Sequence, residues 1–167
     1  MGQRQIKIVT VLLLSQVLFG FCTIANAAET NNCQHDKVTF RCVKFIKNYD
    51  ADTITVNIPN VHPLIGEKVS VRVLGIDSPE IKGKNKCEKD KARIAQRLVE
   101  NLLKNAKNIE LQNVQRDKYF RILADVVADG KSIKDIVIKN NLAYQYEGGT
   151  KLNVDWCKDL KRLPASK

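Results

Sequence analysis

Four carboxylates in two short turns are the residues of this chain best suited to bind a cation. Tyr49-Asp50-Ala51-Asp52-Thr53 supplies Asp50 and Asp52, and Gly75-Ile76-Asp77-Ser78-Pro79-Glu80 supplies Asp77 and Glu80. If the two turns meet, their charges repel unless a hard cation or basic groups neutralise them, and calcium suits oxygen ligands of this kind. Each turn alone has a plainer explanation, because aspartate readily bonds its own backbone in turns. Two arginines add a second half to the pattern. Arg72 precedes the second turn, and Arg121 follows Arg116-Asp117-Lys118-Tyr119-Phe120. A guanidinium offers planar, bidentate donors that fit phosphate oxygens and keeps its charge at any working pH. A solvated surface arginine is the ordinary alternative for each.

The apolar pattern indicates which elements carry these residues. Ile54, Val56 and Ile58 alternate with Thr53, Thr55 and Asn57, the period of a half-buried strand, and a strand is expected before it from Val38 to Lys47. Pro59 to Glu67, with two prolines and a glycine, reads as a loop. Val69, Val71 and Val73 share one parity while Leu74 and Ile76 take the other; a β-bulge beside Gly75 accounts for the slip. That bulge puts Arg72 and Asp77 on the same, non-core side. Antiparallel pairing of these strands would bring the Asp50 turn to the Asp77 turn.

Further along, Asn85 and Glu88 predict a helix start, and Ala95, Leu98, Val99, Leu102, Leu103 and Ala106 recur at helical spacing. Ile109 and Leu111 mark a strand, and Ile122, Ala124, Val126 and Ala128 mark another that ends at Asp129-Gly130. Ser132 with Asp135 caps a short helix, and residues 151 to 162, with Trp156 and Cys157, are expected to form a last one. About five strands and three helices make an α+β chain dominated by a closed five-stranded Greek-key barrel of the OB type, although other α+β arrangements share the pattern.

Composition fits this reading. The chain has 167 residues, 44% hydrophobic and 28% charged, which suits one globular domain and excludes a disordered, collagen-like or multispan membrane protein. A formal net charge of +10 makes a polyanion the first partner to consider. Arg4 and Lys7, the apolar run Ile8 to Phe21 and the small residues of Ala25-Asn26-Ala27 read as a signal peptide, residues 1–27, cleaved before Ala28. The run is shorter than the roughly 20 residues that span a bilayer, and Ser15 and Gln16 interrupt it. Phe21 before Cys22 speaks against a lipoprotein. The expected product is exported, secreted or periplasmic, with no membrane anchor after cleavage. Its parts are a polar segment, 28–37, a folded domain, 38–162, and a tail, 163–167. In an oxidising compartment, Cys33, Cys42, Cys87 and Cys157 allow three pairings. Cys33 with Cys42 would tether the N-terminal segment to the first strand, and Cys87 with Cys157 would tie the central helix to the C-terminus. Zinc is the competing use, but no CxxC pair is present and His35 and His62 are isolated.

Three pieces together resemble the staphylococcal nuclease, or thermonuclease, family: Asp50-Ala51-Asp52-Thr53; Arg72 through Asp77-Ser78-Pro79-Glu80; and Asp117-Lys118-Tyr119-Phe120-Arg121 followed by Ala128-Asp129-Gly130-Lys131. They agree in order, spacing and residue type between about Val38 and Tyr146. The resemblance implies a calcium-dependent phosphodiesterase on an OB-fold barrel, acting on DNA and RNA; the expected substrate is single-stranded or locally open, and the expected state is a monomer. It likens Asp52, Asp77 and the Ser78 carbonyl to the calcium site, with Asp50 close by, and Arg72, Glu80 and Arg121 to the catalytic side chains. Lys118 and Tyr119 resemble contacts to the nucleotide phosphate, and Tyr144 and Tyr146 the tyrosines flanking the base and phosphate pocket. Ala51 and Phe120 replace glycines of the family prototype, the Pro59 to Glu67 loop is longer, the chain is shorter just before Tyr144, and the prototype lacks the four cysteines.

Two readings of other classes compete. One is a catalytically silent OB module that binds nucleic acid or protein, which would be expected to have lost at least one of these side chains. The other is a basic protein that adheres to anionic surfaces, which explains the charge but not the constellation. Salt weakens all three, whereas only a nuclease of this kind requires calcium for turnover.

Overall fold

The computed structural model describes residues 33–117 and 119–158, all within the larger of two compact units, Asn31–Lys167. The expected signal peptide and tail, and Lys118, lie outside the described residues. The elements in chain order are β1 (Lys44–Asn48), β2 (Thr53–Asn57), α1 (Pro63–Gly66), β3 (Val69–Val73), β4 (Ile76–Asp77) and α2 (Lys86–Asn105). They are followed by β5 (Ile109–Arg116), β6 (Ile122–Ala128), β7 (Lys131–Ser132), α3 (Ile133–Lys139) and β8 (Tyr144–Gln145).

Alternating burial drives the sheet. In β2, Ile54 and Val56 are buried and their neighbours half-buried; β6 repeats the pattern with Ile122, Ala124, Val126 and Ala128 inside. The strands run in the order β1-β2-β3-β6-β5, with β3 and β6 parallel and the other neighbours antiparallel. The segment before β1 then bonds to β5: the Phe40 N–H donates to the Leu111 carbonyl at 2.8 Å, Leu111 returns the bond at 2.9 Å, and the Val43 N–H reaches the Ile109 carbonyl at 3.0 Å. These bonds join the two edges, so five strands close into the OB-type barrel expected from the sequence.

Helix α2 starts where Asn85 Oδ1 accepts from the Glu88 N–H at 2.9 Å, and it buries Ala92, Ala95, Val99 and Leu103. Ser132 caps α3 by accepting from the Asp135 N–H at 3.2 Å. The disulfides are Cys33–Cys42 and Cys87–Cys157, with Cα separations of 5.3 and 5.4 Å.

Four local expectations change. Regular strand begins at Lys44 rather than Val38, because Cys42 takes a left-handed backbone conformation (φ 55°) and Val38–Val43 pairs with β5 instead. The slip beside Gly75 is a turn that ends β3, not a bulge. Gly75 has φ 78°, which glycine adopts at little cost, and β4 leaves for a different sheet by pairing with β8. The consequence drawn for Arg72 and Asp77 holds, since their side chains meet. The Pro59–Glu67 loop contains the short helix α1, opened by Pro63 and capped by His62, whose Nδ1 accepts from the Leu64 N–H. Residues 151–155 are not helical and a turn follows at Trp156–Cys157. There Leu152, Val154 and Trp156 pack at a period of two around Tyr144 and Tyr146, and Cys157 is tied to Cys87.

Candidate active site

The antiparallel register of β2 and β3 pairs Thr53 with Arg72, so the turn that opens one strand faces the end of the other. The Val73 N–H extends the ladder to the Asp52 carbonyl at 2.8 Å. Within the turn, Asp50 Oδ1 accepts from the Asp52 N–H at 3.1 Å, and Asn48 Nδ2 donates to the Asp50 carbonyl at 2.8 Å and to the Gln96 carbonyl on α2 at 2.9 Å. Backbone groups and helix α2 thus fix the carboxylate-bearing turn from both sides.

Arg72 is the hub. Its guanidinium donates to Asp52 Oδ1, to Asp77 Oδ1 at 2.9 Å and to the Ile76 carbonyl at 3.1 Å. Burial works against its charge, but Asp52 and Asp77 outweigh burial and raise its pKa. The other oxygen of Asp52 accepts from both the N–H and the hydroxyl of Ser78, each at 2.8 Å. Asp77 Oδ2 accepts from the Tyr144 hydroxyl at 2.9 Å, and Asp77 Oδ1 pairs with Lys151 Nζ at 2.8 Å, which also lies 3.3 Å from Glu80 Oε1. Pairing of Asp77 with Tyr144 across β4 and β8 sets this contact. Burial and the bond to Asp77 raise the Tyr144 pKa, so Tyr144 stays a donor.

On the opposite wall, Asp117 organises the loop into β6. Its Oδ1 accepts from the N–H groups of Tyr119 and Arg121 at 2.8 and 2.9 Å, and its Oδ2 from Arg121 Nε at 2.8 Å. Burial opposes this, but the Arg121 guanidinium and the two backbone bonds together outweigh it and hold the Asp117 carboxyl below the usual range. The Arg121 guanidinium carbon lies 5.5 Å from the centre of the Tyr119 ring.

These walls enclose a groove of about 760 Å³. Arg72, Glu80, Arg121, Asp50, Tyr119 and Tyr146 line it. Asp52, Asp77, Ser78 and Tyr144 lie buried beneath. The structure thus brings together every sequence-proposed site residue it describes, in two layers: side chains that face the groove and side chains that hold them from below. Lys118 is outside the described residues. Two contributors escaped the sequence reading. Asp117 had a legible signal, its four-residue spacing to Arg121. Lys151 had none, because a chain reversal and the Cys87–Cys157 disulfide bring it in from 71 residues beyond Glu80.

Burial, and then the neighbouring Asp52 charge, push the Asp50 pKa up to about 7. Among the described residues no three carboxylates, histidines or cysteines already stand in metal-holding geometry, since Arg72, Ser78, Tyr144 and Lys151 engage the Asp52 and Asp77 oxygens. The donor set is nonetheless all oxygen and over-supplied with negative charge, which fits a hard divalent cation.

Comparison with known proteins points the same way. A family model described as Staphylococcal nuclease homologue matches residues 70–164, which include Arg72, Asp77, Glu80 and Arg121. Endonuclease YncB of Bacillus subtilis (strain 168) is 39% identical over 108 residues, 61% of this chain and 48% of its own length. The SPbeta prophage-derived endonuclease YokF of the same organism is 35% identical over 124 residues, 71% of this chain and 40% of its own length. The chain spans about half or less of the length of these curated relatives. On the family match, over residues that include the two arginines and Glu80, this chain belongs to the staphylococcal nuclease homologues.

Proposed function

We propose that this protein is an exported, calcium-dependent nuclease that hydrolyses phosphodiester bonds of DNA and RNA, single-stranded or locally open, and works as a monomer. The observation that carries the reading is that Arg72, Arg121 and Glu80 line one groove above a crowded set of carboxylates. A phosphodiester is an anion that repels nucleophiles, and its transition state gathers further charge on oxygen. Two guanidiniums on opposite walls bind that charge where it develops, and each is held by carboxylates so that its direction is set in advance. Glu80, half exposed in the groove, takes the proton from the attacking water at its carboxylate. Asp52, Asp77 and the Ser78 carbonyl, with Asp50 adjoining, would hold calcium. When bound it supplies Lewis-acid stabilisation of the phosphate and neutralises the carboxylates. Tyr119 and Tyr146 border the place of the nucleotide, and Tyr144 acts from below by orienting Asp77. Two disulfides are the pattern of a protein that works outside the reducing cytosol, which supports export.

Glu80→Gln tests this assignment. Turnover of single-stranded DNA is expected to fall by about 10²- to 10⁴-fold, the range for a lost general base, while DNA affinity changes little. Equal losses of rate and affinity would give Glu80 a binding or folding role instead. Full turnover would remove Glu80 from the mechanism and leave the proton to another acceptor.

A further inference from the structure

We propose a second nucleic-acid subsite beside the catalytic groove, a stacking platform formed by Phe120 with Leu64 and Ile65, which takes a base next to the cleaved phosphodiester. The inference rests on the nuclease reading and adds a site to it. A separate cavity of about 310 Å³ lies between the β2–β3 connection and the loop before β6. Three of its apolar side chains face solvent: Leu64 is 86% exposed, Phe120 79% and Ile65 53%. Grouped large apolar side chains at a surface mark a place where something binds.

Charge and position select the occupant. Lys68, Arg116 and Arg121 stand around the apolar residues, against one acid, Glu67. Arg121 lines both this cavity and the catalytic groove, so a strand whose phosphate meets Arg121 continues directly onto Phe120. An exposed ring among cations matches a single-stranded nucleic acid, which offers a flat base and an anionic backbone at each step. The backbone that carries the ring is also held in place. Phe120 has φ 62°, a conformation unusual for a bulky residue, its N–H donates to the Asp117 carbonyl at 3.0 Å, and Arg116 Nη1 donates to its carbonyl at 2.8 Å.

The test compares a chromogenic mononucleotide phosphodiester, which fills only the catalytic groove, with a single-stranded oligodeoxynucleotide of about ten nucleotides, within the usual span of such sites. Phe120→Gly removes the ring at a position glycine adopts freely, so folding is not at stake, and the double variant Leu64→Ser with Ile65→Ser alters only exposed residues. Each is expected to raise KM for the oligonucleotide roughly tenfold, the scale of one lost stacking contact, and to leave kcat/KM for the mononucleotide ester unchanged. Phe120→Trp should restore oligonucleotide KM. Fluorescence anisotropy of the same oligonucleotide in chelator reads the platform without turnover. Weaker binding by Phe120→Gly supports it even if the protein cleaves nothing, an outcome that would sink the nuclease reading alone. Unchanged oligonucleotide KM and affinity, as for a patch that docks a protein or a second copy of this chain, would overturn the proposal. So would an equal loss on both substrates, which would mean that Phe120 acts only by positioning Arg121.

Discussion

The two arginines of the groove are held by opposite means. The Arg72 side chain is 12% exposed and is gripped by Asp52 and Asp77, carboxylates from two different turns that the barrel brings together. The Arg121 side chain is 37% exposed and is gripped by Asp117, four residues away in the same loop. The first wall is part of the folded core, so its charges serve stability and function together. The second is a local device resting on a finished barrel. Disrupting the two should therefore separate folding from catalysis.

The largest effect is expected from Arg72→Ala. It leaves Asp52 and Asp77 buried without their shared partner, and breaking a buried ion pair from one side costs about 3–5 kcal/mol. Denaturant unfolding should show that loss together with loss of cleavage. Arg72→Lys should recover part of the stability, because the charge returns, but not the turnover, because the bidentate geometry does not. Wild-type turnover in that variant would remove Arg72 from its proposed role.

Arg121→Ala should lower the rate by about 10²- to 10³-fold, as for one lost transition-state donor, with stability changed by no more than about 1 kcal/mol. If it unfolds the protein as Arg72→Ala does, the contrast between the two walls fails. Asp117→Ala should cost less rate than either. It frees three donors of the loop while leaving Arg121 present, so the rate should drop about tenfold, the cost of roughly 1.4 kcal/mol in positioning, with a small change in melting temperature. Restoration of the rate by Asn would argue for the backbone bonds, and its absence for the charge.

The smallest effect concerns pH and belongs to the Arg72 wall alone. Because Asp50 holds its proton more tightly in the folded chain than in the unfolded one, unfolding in calcium-free buffer releases protons, and stability from this group falls as pH rises from about 4 to 7. Asp50→Asn keeps an acceptor for the Asp52 N–H and should flatten that slope. An unchanged slope in thermal melts would mean that burial beside Asp52 does not raise the Asp50 pKa in the folded chain.

The same contrast explains how much the sequence revealed. Asp50, Asp52 and Arg72 were legible because one antiparallel register brings them together, and Asp77 because the parity slip at Gly75 turns it to the same side as Arg72. The Asp117 loop was visible as a motif, although its hydrogen bonds were not. The role of Tyr144 was out of reach because it depends on β8 pairing with β4 across 67 residues, and Lys151 because it lies 71 residues from Glu80 along the chain. The helix expected at 151–162 is absent over 151–158 for a related reason. Leu152, Val154 and Trp156 suit an extended segment as soon as there is a tyrosine cluster to pack on, and that cluster exists only in the folded protein. Gly75 read as a bulge because the parity slip is the same whether a strand bulges or stops. What decides between them is the partner that β4 meets.

The most direct test of the account is cleavage of single-stranded DNA by the purified, disulfide-intact protein with calcium, then with a calcium-selective chelator, then with calcium restored. The account predicts cleavage that stops with the chelator and returns with the metal. Folded protein that binds DNA but does not cut it under any of the three conditions would contradict the account and leave a binding module.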